Sequence, residues 1–198
     1  MFKSLVGLSL FCASALAQTP AHSWPTTHKH LGVSYGDLNV TPNLWISSQD
    51  VSSQPVVYDT NHNSDCISYM IFMIDWMIPA SDMASPDQYP SLVPGLAVNT
   101  TNRLHWWGGN FTLNRKGVFV SESEAVSPYT GPRPRDSTNH TYAFYLFEQP
   151  RHYKLPAAAA DGLYYDQTTN ARFNFSMVPI VKAAGNPVAA TYFLSNNA

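Results

Sequence analysis

Short apolar and aromatic stretches, separated by Pro, Gly, Asn and Asp, recur along the chain and predict β-strands. The longest, Cys66–Trp76, is apolar almost throughout until Asp75, which is typical of a strand buried on both faces. Further strands are predicted at residues 32–35, 54–58, 104–111, 141–147, 172–178 and 188–193. Prolines in residues 79–101 predict a long loop, and alanines in residues 150–162 a short helix. The pattern therefore predicts one mainly β domain with few helices.

The first 17 residues predict a secretory signal peptide, removed after Ala17. Lys3 supplies its positive charge, residues 5–16 its apolar run, and Ala15-Leu16-Ala17 the small-x-small cleavage pattern. Residues 18–30 are polar and predict a disordered or loosely docked arm, and residues 31–198 form the predicted domain. No later apolar run is long enough for a transmembrane helix. The expected location is therefore outside the cell or in the lumen of the endoplasmic reticulum.

Asparagine and cysteine usage fits that compartment. Five Asn-x-Ser/Thr sequons predict glycosylation at Asn39, Asn99, Asn110, Asn139 and Asn174. Cys12 leaves with the signal peptide, so Cys66 has no internal disulfide partner. For Cys66 a small buried side chain is favoured over a nucleophile or an intermolecular bridge.

Composition and charge exclude several function classes. Eleven basic residues against 13 acidic ones give a formal net charge of −2 without a basic stripe, which disfavours nucleic acid as a partner. The chain has no glycine-rich phosphate loop, clustered Cys/His set or G-x-S-x-G segment, so no cofactor, metal or serine-hydrolase site is predicted. His22, His28 and His30 lie in the polar arm without a Cys or carboxylate to complete a metal site.

Three polar residues mark the ends of predicted strands. Asp75 ends the long apolar strand, His105 precedes two tryptophans, and His140 follows a loop rich in Pro and Arg. Taken singly, these residues fit a turn cap, a core histidine and a loop residue. A carboxylate that leaves a buried strand is nevertheless costly unless it meets hydrogen-bond donors or serves a site.

These residues lie in three of four ordered blocks of sequence that resemble segments of the phosphatidylethanolamine-binding protein (PEBP) family. Residues 74–79 (IDWMIP) resemble the family's D-P-D-x-P segment, and residues 104–106 (LHW) its L-H-W strand. Residues 129–134 (YTGPRP), 140–142 (HTY) and 147–150 (FEQP) resemble its P-R-P loop and G-x-H-R-Y strand. Residues 187–192 (PVAATY) resemble its P-V-A-G-T ending, so the resemblance runs from about Leu31 to Phe193.

The resemblance implies a large central antiparallel sheet packed on a smaller sheet, with a few peripheral helices. It also implies an anion pocket lined by Asp75, His105, Pro132, Pro134, His140 and Tyr142, with Phe193 near the mouth. Two imidazoles there would donate hydrogen bonds to phosphate or carboxylate oxygens. A neighbouring carboxylate is expected to raise their pKa values.

The sequence departs from the family pattern around this pocket. Met77 stands at the family's second Asp, and Thr141 stands at the Arg that follows the histidine. Arg133 and Arg135 add two positive charges beside the pocket. These changes predict an apolar, carboxylate-bearing ligand rather than a zwitterionic phosphoethanolamine group. A glycan at Asn139 would lie at the pocket rim.

Three functions follow from the resemblance. The first is a secreted module that binds a small anionic ligand. The second is an enzyme or auxiliary factor in fungal maleidride biosynthesis, which would act beside a ketosteroid-isomerase-like partner. In it His105 or His140 would be the general base, oriented by Asp75, with Arg133 or Arg135 holding carboxylates. The third is a protease inhibitor, as in the family's yeast carboxypeptidase Y inhibitor.

Overall fold

The computed structural model describes residues 17–59, 67–79, 100–135, 137–168 and 170–197. Within these ranges the chain forms nine strands and two helices. The strands are β1 (Gly32–Tyr35), β2 (Leu38–Asn39), β3 (Leu44–Trp45), β4 (Val56–Tyr58), β5 (Ser68–Pro79), β6 (Thr100–Leu113), β7 (Phe119–Val120), β8 (His140–Gln149) and β9 (Ala189–Ser195). The helices are α1 (Ala157–Ala160) and α2 (Val178–Ala184), and a 3-10 turn covers Asn170–Arg172.

Six of these strands form a large sheet in the order β3-β9-β8-β5-β6-β7. Its neighbours pair antiparallel except β3, which runs parallel to β9. The remaining three form a small sheet in the order β2-β1-β4. A side chain at Gly32 of β1 would collide with the ring of Tyr58 on β4, so glycine is required for this close approach. The predicted mainly β architecture of two sheets with few helices is confirmed.

Strand β5 lies in the middle of the large sheet and is buried on both faces, as its apolar run predicted. Ile71 and Met73 point into the core that the large sheet shares with Val33 and Val57 of the small sheet. Phe72, which lies between them, and the residues two positions away on either side point to a second core on the opposite face of the large sheet. This core, called the outer core below, also holds Phe175, Met177 and Ile180. This alternation follows the two-residue period of a strand. It also places Asp75 on the same strand face as Ile71 and Met73.

Two sequence predictions differ from the structure. Residues 172–178 were expected to form a strand but contain the end of the 3-10 turn and the start of α2. Apolar Phe175 and Met177 alternate there as in a strand, yet they cover the outer core from an irregular segment. The predicted loop within residues 79–101 lies mostly outside the described residues, and β6 already begins at Thr100. No helix among the described residues is long and apolar enough to cross a membrane.

The arm at residues 18–30 lies against the sheet, which corrects the expectation of a disordered or loosely docked segment. Thr19 and Ser23 are buried, and Trp24 packs against the outer core. The backbone at its end bonds to β9, with Ala190 N donating to Lys29 O at 2.9 Å. His30 Nδ1 and Gln18 Oε1 lie 2.8 Å apart. The amide oxygen of Gln18 accepts this bond, so that oxygen and the imidazole serve the arm's own structure.

Candidate functional site

Three strands of the large sheet bring the predicted site residues together at one end. Asp75 on β5 lies opposite Tyr142 on β8, and Tyr142 lies opposite Phe193 on β9. His140 is two residues before Tyr142 and therefore shares its strand face. The diagonal from Asp75 to His140 is short enough for long side chains to meet. Strand register therefore unites residues that are 65 positions apart in the sequence.

Asp75 and His140 form a buried hydrogen-bonded pair. His140 Nδ1 lies 2.8 Å from Asp75 Oδ2, and the two side chains are 1% and 3% exposed. A carboxylate oxygen accepts, so Nδ1 carries the proton, and in the neutral ring Nε2 holds the lone pair. This arrangement fixes the tautomer and the orientation of the imidazole, as a general base requires.

His105 has a different environment from His140. Its Nδ1 donates to the carbonyl of Thr130 at 2.7 Å, and the side chain is buried. Burial, together with the positive charge of Arg103, lowers the pKa of His105 to about 3. The expectation that a carboxylate raises the pKa of both histidines is therefore wrong for His105. This ring is neutral at ordinary pH and a weak base.

Tyr142 separates the two histidines. Its ring stacks on His140 with the ring centres 6.2 Å apart, and it meets the His105 ring edge-on at 5.2 Å. On the side toward β9 it stacks on Phe193 at 5.3 Å. Aromatic contacts of these kinds hold ring planes in place, so the two imidazoles keep their separate orientations.

A cavity of about 600 Å³ opens beside these residues. Among the described residues that line it, Asp75, His105, His140, Tyr142, Arg133 and Arg135 were predicted site residues. Ile78, Arg103, Gln167, Thr168, Asn170 and Phe173 also line it and were not predicted. Arg103 was accessible to sequence reasoning, because it precedes His105 by two residues and shares its strand face. Gln167, Thr168, Asn170 and Phe173 lie at or beside the 3-10 turn, in a part of the chain that no local pattern marks as a site.

The remaining predicted pocket residues lie behind the cavity or beyond the described part of the chain. Pro132 and Pro134 are buried, whereas Arg133 and Arg135 between and after them are exposed. Phe193 is fully buried behind Tyr142 rather than near the mouth. Cys66 and the side chain of Met77 lie outside the described residues.

Arg172 secures the loop that carries Thr130. This side chain is fully buried, and it donates to the carbonyls of Tyr164 at 2.9 Å and Pro128 at 3.1 Å. It also donates to Thr130 Oγ1 at 3.1 Å and to the carbonyl of Tyr165 at 2.9 Å. These bonds tie the segment beside the cavity to the loop whose Thr130 carbonyl orients His105.

The predicted glycosylation sites differ in exposure. Asn39, Asn110 and Asn139 are exposed, whereas Asn174 is half-buried and accepts a hydrogen bond from Thr101 Oγ1 at 2.7 Å. Asn99 lies outside the described residues. The described part of the chain contains no group of three His, Cys, Asp or Glu side chains placed to hold a metal ion.

Comparison with known sequences finds relatives from fungi. The chain is 29% identical over 212 residues to Phomoidride biosynthesis cluster protein N of Talaromyces stipitatus, covering 98% of each protein. It is 31% identical over 99 residues to the protein of the same name from Fungal sp. (strain ATCC 74256), covering 48% of this chain and 44% of that one. No protein-family model matches the sequence.

Comparison with solved structures identifies the fold. A carboxypeptidase Y inhibitor, solved in complex with its cognate proteinase, superposes with a TM-score of 0.55 at 17% identity. That match covers 85% of this chain and 83% of the inhibitor. Phosphatidylethanolamine-binding protein from Plasmodium vivax superposes with a TM-score of 0.50 at 14% identity, covering 90% and 92%. The chain therefore has the PEBP fold.

Proposed function

We propose that this protein binds a carboxylate-bearing small molecule in the cavity beside Asp75 and His140, and that this pair acts on it as a general base. The observation that carries the proposal is the buried hydrogen bond between these two side chains at the cavity wall. A buried imidazole held by a carboxylate is a recurrent arrangement for proton transfer. The site, rather than the fold, supports this function, because one fold hosts many functions.

The charges at the cavity wall favour an anionic ligand. Arg103, Arg133 and Arg135 line it, and Asp75 is the carboxylate among its described lining residues. Ile78 and Phe173 provide apolar surface in the same wall. An alkylated carboxylate matches both features, because it joins an apolar chain to charged oxygens that accept from guanidinium groups.

The fungal relatives indicate the biological setting of this chemistry. The relative that matches over 98% of its length is named for the phomoidride biosynthesis cluster. We place the present protein in an analogous fungal pathway that joins anhydride monomers, with a ketosteroid-isomerase-like enzyme as the proposed partner. Passage through the secretory pathway, with cleavage after Ala17, is part of the same proposal.

The proposed chemical step is removal of a proton from a carbon conjugated to the anhydride or dicarboxylate. His140 Nε2 would take that proton, and Asp75 would stabilise the imidazolium through Nδ1–H. The electron pair would be delocalised into the conjugated carbonyl, whose oxygen would be stabilised by a guanidinium group. His105 would contribute to ligand placement rather than to base catalysis, because its pKa is about 3.

Thermal unfolding with a ligand panel tests the proposed binding. Dimethylmaleate at about 100 times its Kd is expected to raise the unfolding free energy by about 2.7 kcal/mol. Phosphoethanolamine, inorganic phosphate and dimethyl succinate (an uncharged diester) complete the panel, and the His140→Ala variant is expected to lose much of the stabilisation. Stabilisation by phosphate compounds alone would instead indicate a simple anion-binding module. No stabilisation by any anion would leave protease inhibition as the alternative.

A further inference from the structure

Arg103 is held rigidly at the cavity wall. The residue lies on β6 opposite Asp75 of β5 and is half-buried. Its Nη2 donates to the carbonyl of Gln167 at 2.7 Å, and its guanidinium lies 5.3 Å from the centre of the Phe173 ring. One hydrogen bond and one ring contact therefore fix the plane of the guanidinium before any ligand arrives.

Arg103 keeps donors that the described residues do not use. Nε is buried and has no hydrogen-bond partner among the described residues. The Gln167 carbonyl is likewise the one acceptor that those residues offer to the guanidinium. A buried donor without a partner is costly, so such a group usually serves a ligand, an ion or ordered water. A planar carboxylate offers two oxygens that match the guanidinium fork.

Arginines predominate among the charged residues that are described at the cavity. Arg103 lies at the wall, and Arg133 and Arg135 are exposed on the loop above. Among the described lining residues these three cations face the single carboxylate of Asp75. The described cations therefore lie at two depths, with Arg103 at the wall and Arg133 and Arg135 at the rim. Two carboxylates of one ligand would each meet a guanidinium group in this arrangement.

We infer that the cavity is built for a dicarboxylate, with Arg103 as the inner anchor for one carboxylate and Arg133 and Arg135 receiving the other at the rim. This inference rests on the proposed function and specifies its ligand class. Arg103 is a binding residue. Because Arg103 is half-buried and the other two arginines are exposed, separate substitutions distinguish its contribution to ligand affinity from theirs.

Isothermal titration calorimetry of the full mature chain tests the inference with two matched ligands. Dimethylmaleate carries two carboxylates, and in trimethylacrylate a methyl group replaces one of them. The wild-type protein is expected to bind dimethylmaleate at least about tenfold more tightly. Arg103→Gln is expected to weaken both ligands by about 10- to 100-fold. Arg133→Gln and Arg135→Gln are expected to weaken dimethylmaleate alone.

Two further variants make the result decisive. Arg103→Lys keeps the charge but lacks the forked guanidinium, so it is expected to bind dimethylmaleate about tenfold more weakly than the wild-type protein. This variant still tests the anchor if Arg103→Gln does not fold. Arg151→Gln removes an exposed arginine outside the cavity lining. It is expected to leave the affinity for dimethylmaleate and the affinity for trimethylacrylate unchanged.

The outcomes separate this inference from the proposed function. If dimethylmaleate binds but folded Arg103 variants bind it within about threefold of wild type, the anchor is wrong and the proposed function stands. Equal affinity of the wild-type protein for both ligands would refute the dicarboxylate specificity alone. If neither carboxylate binds the wild-type protein, the proposed function fails and this inference fails with it.

Discussion

Replacing His140 with Ala is expected to lower the protein's rate of proton abstraction from bound dimethylmaleate by about 10²- to 10⁴-fold. The effect is large because His140 is the imidazole whose orientation is fixed by a buried carboxylate, at 2.8 Å from Asp75. The rate can be measured without a partner enzyme, as exchange of the allylic protons of dimethylmaleate with D₂O followed by NMR. Exchange reports base catalysis even when no new carbon–carbon bond forms.

Two companion variants distinguish the base from its surroundings. Asp75→Asn leaves a group of similar size but removes the charge that stabilises the imidazolium, so a large loss of exchange rate is expected as well. His105→Asn retains a donor for the Thr130 carbonyl and is expected to lower the rate by less than about tenfold. If His140→Ala exchanges protons as fast as the wild-type protein, His140 is not the base. A loss in His105→Asn alone would transfer that role to His105.

Acidification from pH 7 to pH 4 is expected to remove about 3 kcal/mol of unfolding free energy through His105 alone. Burial lowers the pKa of His105 in the folded protein to about 3, from 6.5 in an unfolded chain. Between these values the unfolded state binds a proton that the folded state does not. Stability is therefore complete above pH 6.5 and is lost as the pH falls toward 3.

Urea unfolding at a series of pH values measures this contribution. His105→Asn is expected to show a shallower loss of stability between pH 6.5 and 4, because its amide does not titrate. His152→Asn is the matched control, since it makes the same substitution at an exposed histidine. An identical pH dependence in wild type and His105→Asn would show that His105 is not the buried neutral group described above.

Much of the fold was predictable because it depends on local patterns. The apolar run that becomes β5 and the aromatic alternation of β8 identify strands buried in a central sheet. The short strands β2, β3 and β7 were not predicted, since two-residue strands carry no periodicity. Residues 172–178 were predicted wrongly, because alternating apolar residues there pack on the outer core without pairing as a strand.

The candidate site was predictable where residues on strands define it. Asp75, His105 and His140 were identified by type and position and Tyr142 by the family resemblance, and the structure brings them to one cavity. The protonation state of His105 was not predictable, because it depends on burial and on a carbonyl from a loop 25 residues away. The wall formed by Gln167, Asn170 and Phe173 likewise depends on tertiary packing, in which buried Arg172 ties this segment to the Thr130 loop.

A co-crystal structure with dimethylmaleate tests the central claim most directly. The predicted result is a ligand in the cavity with one carboxylate oxygen about 2.7–3.2 Å from a nitrogen of Arg103, and an allylic carbon facing the imidazole of His140. Crystals grown at a ligand concentration well above the measured Kd provide the appropriate occupancy. A ligand bound elsewhere on the protein, or a cavity without ligand at that concentration, would contradict the account.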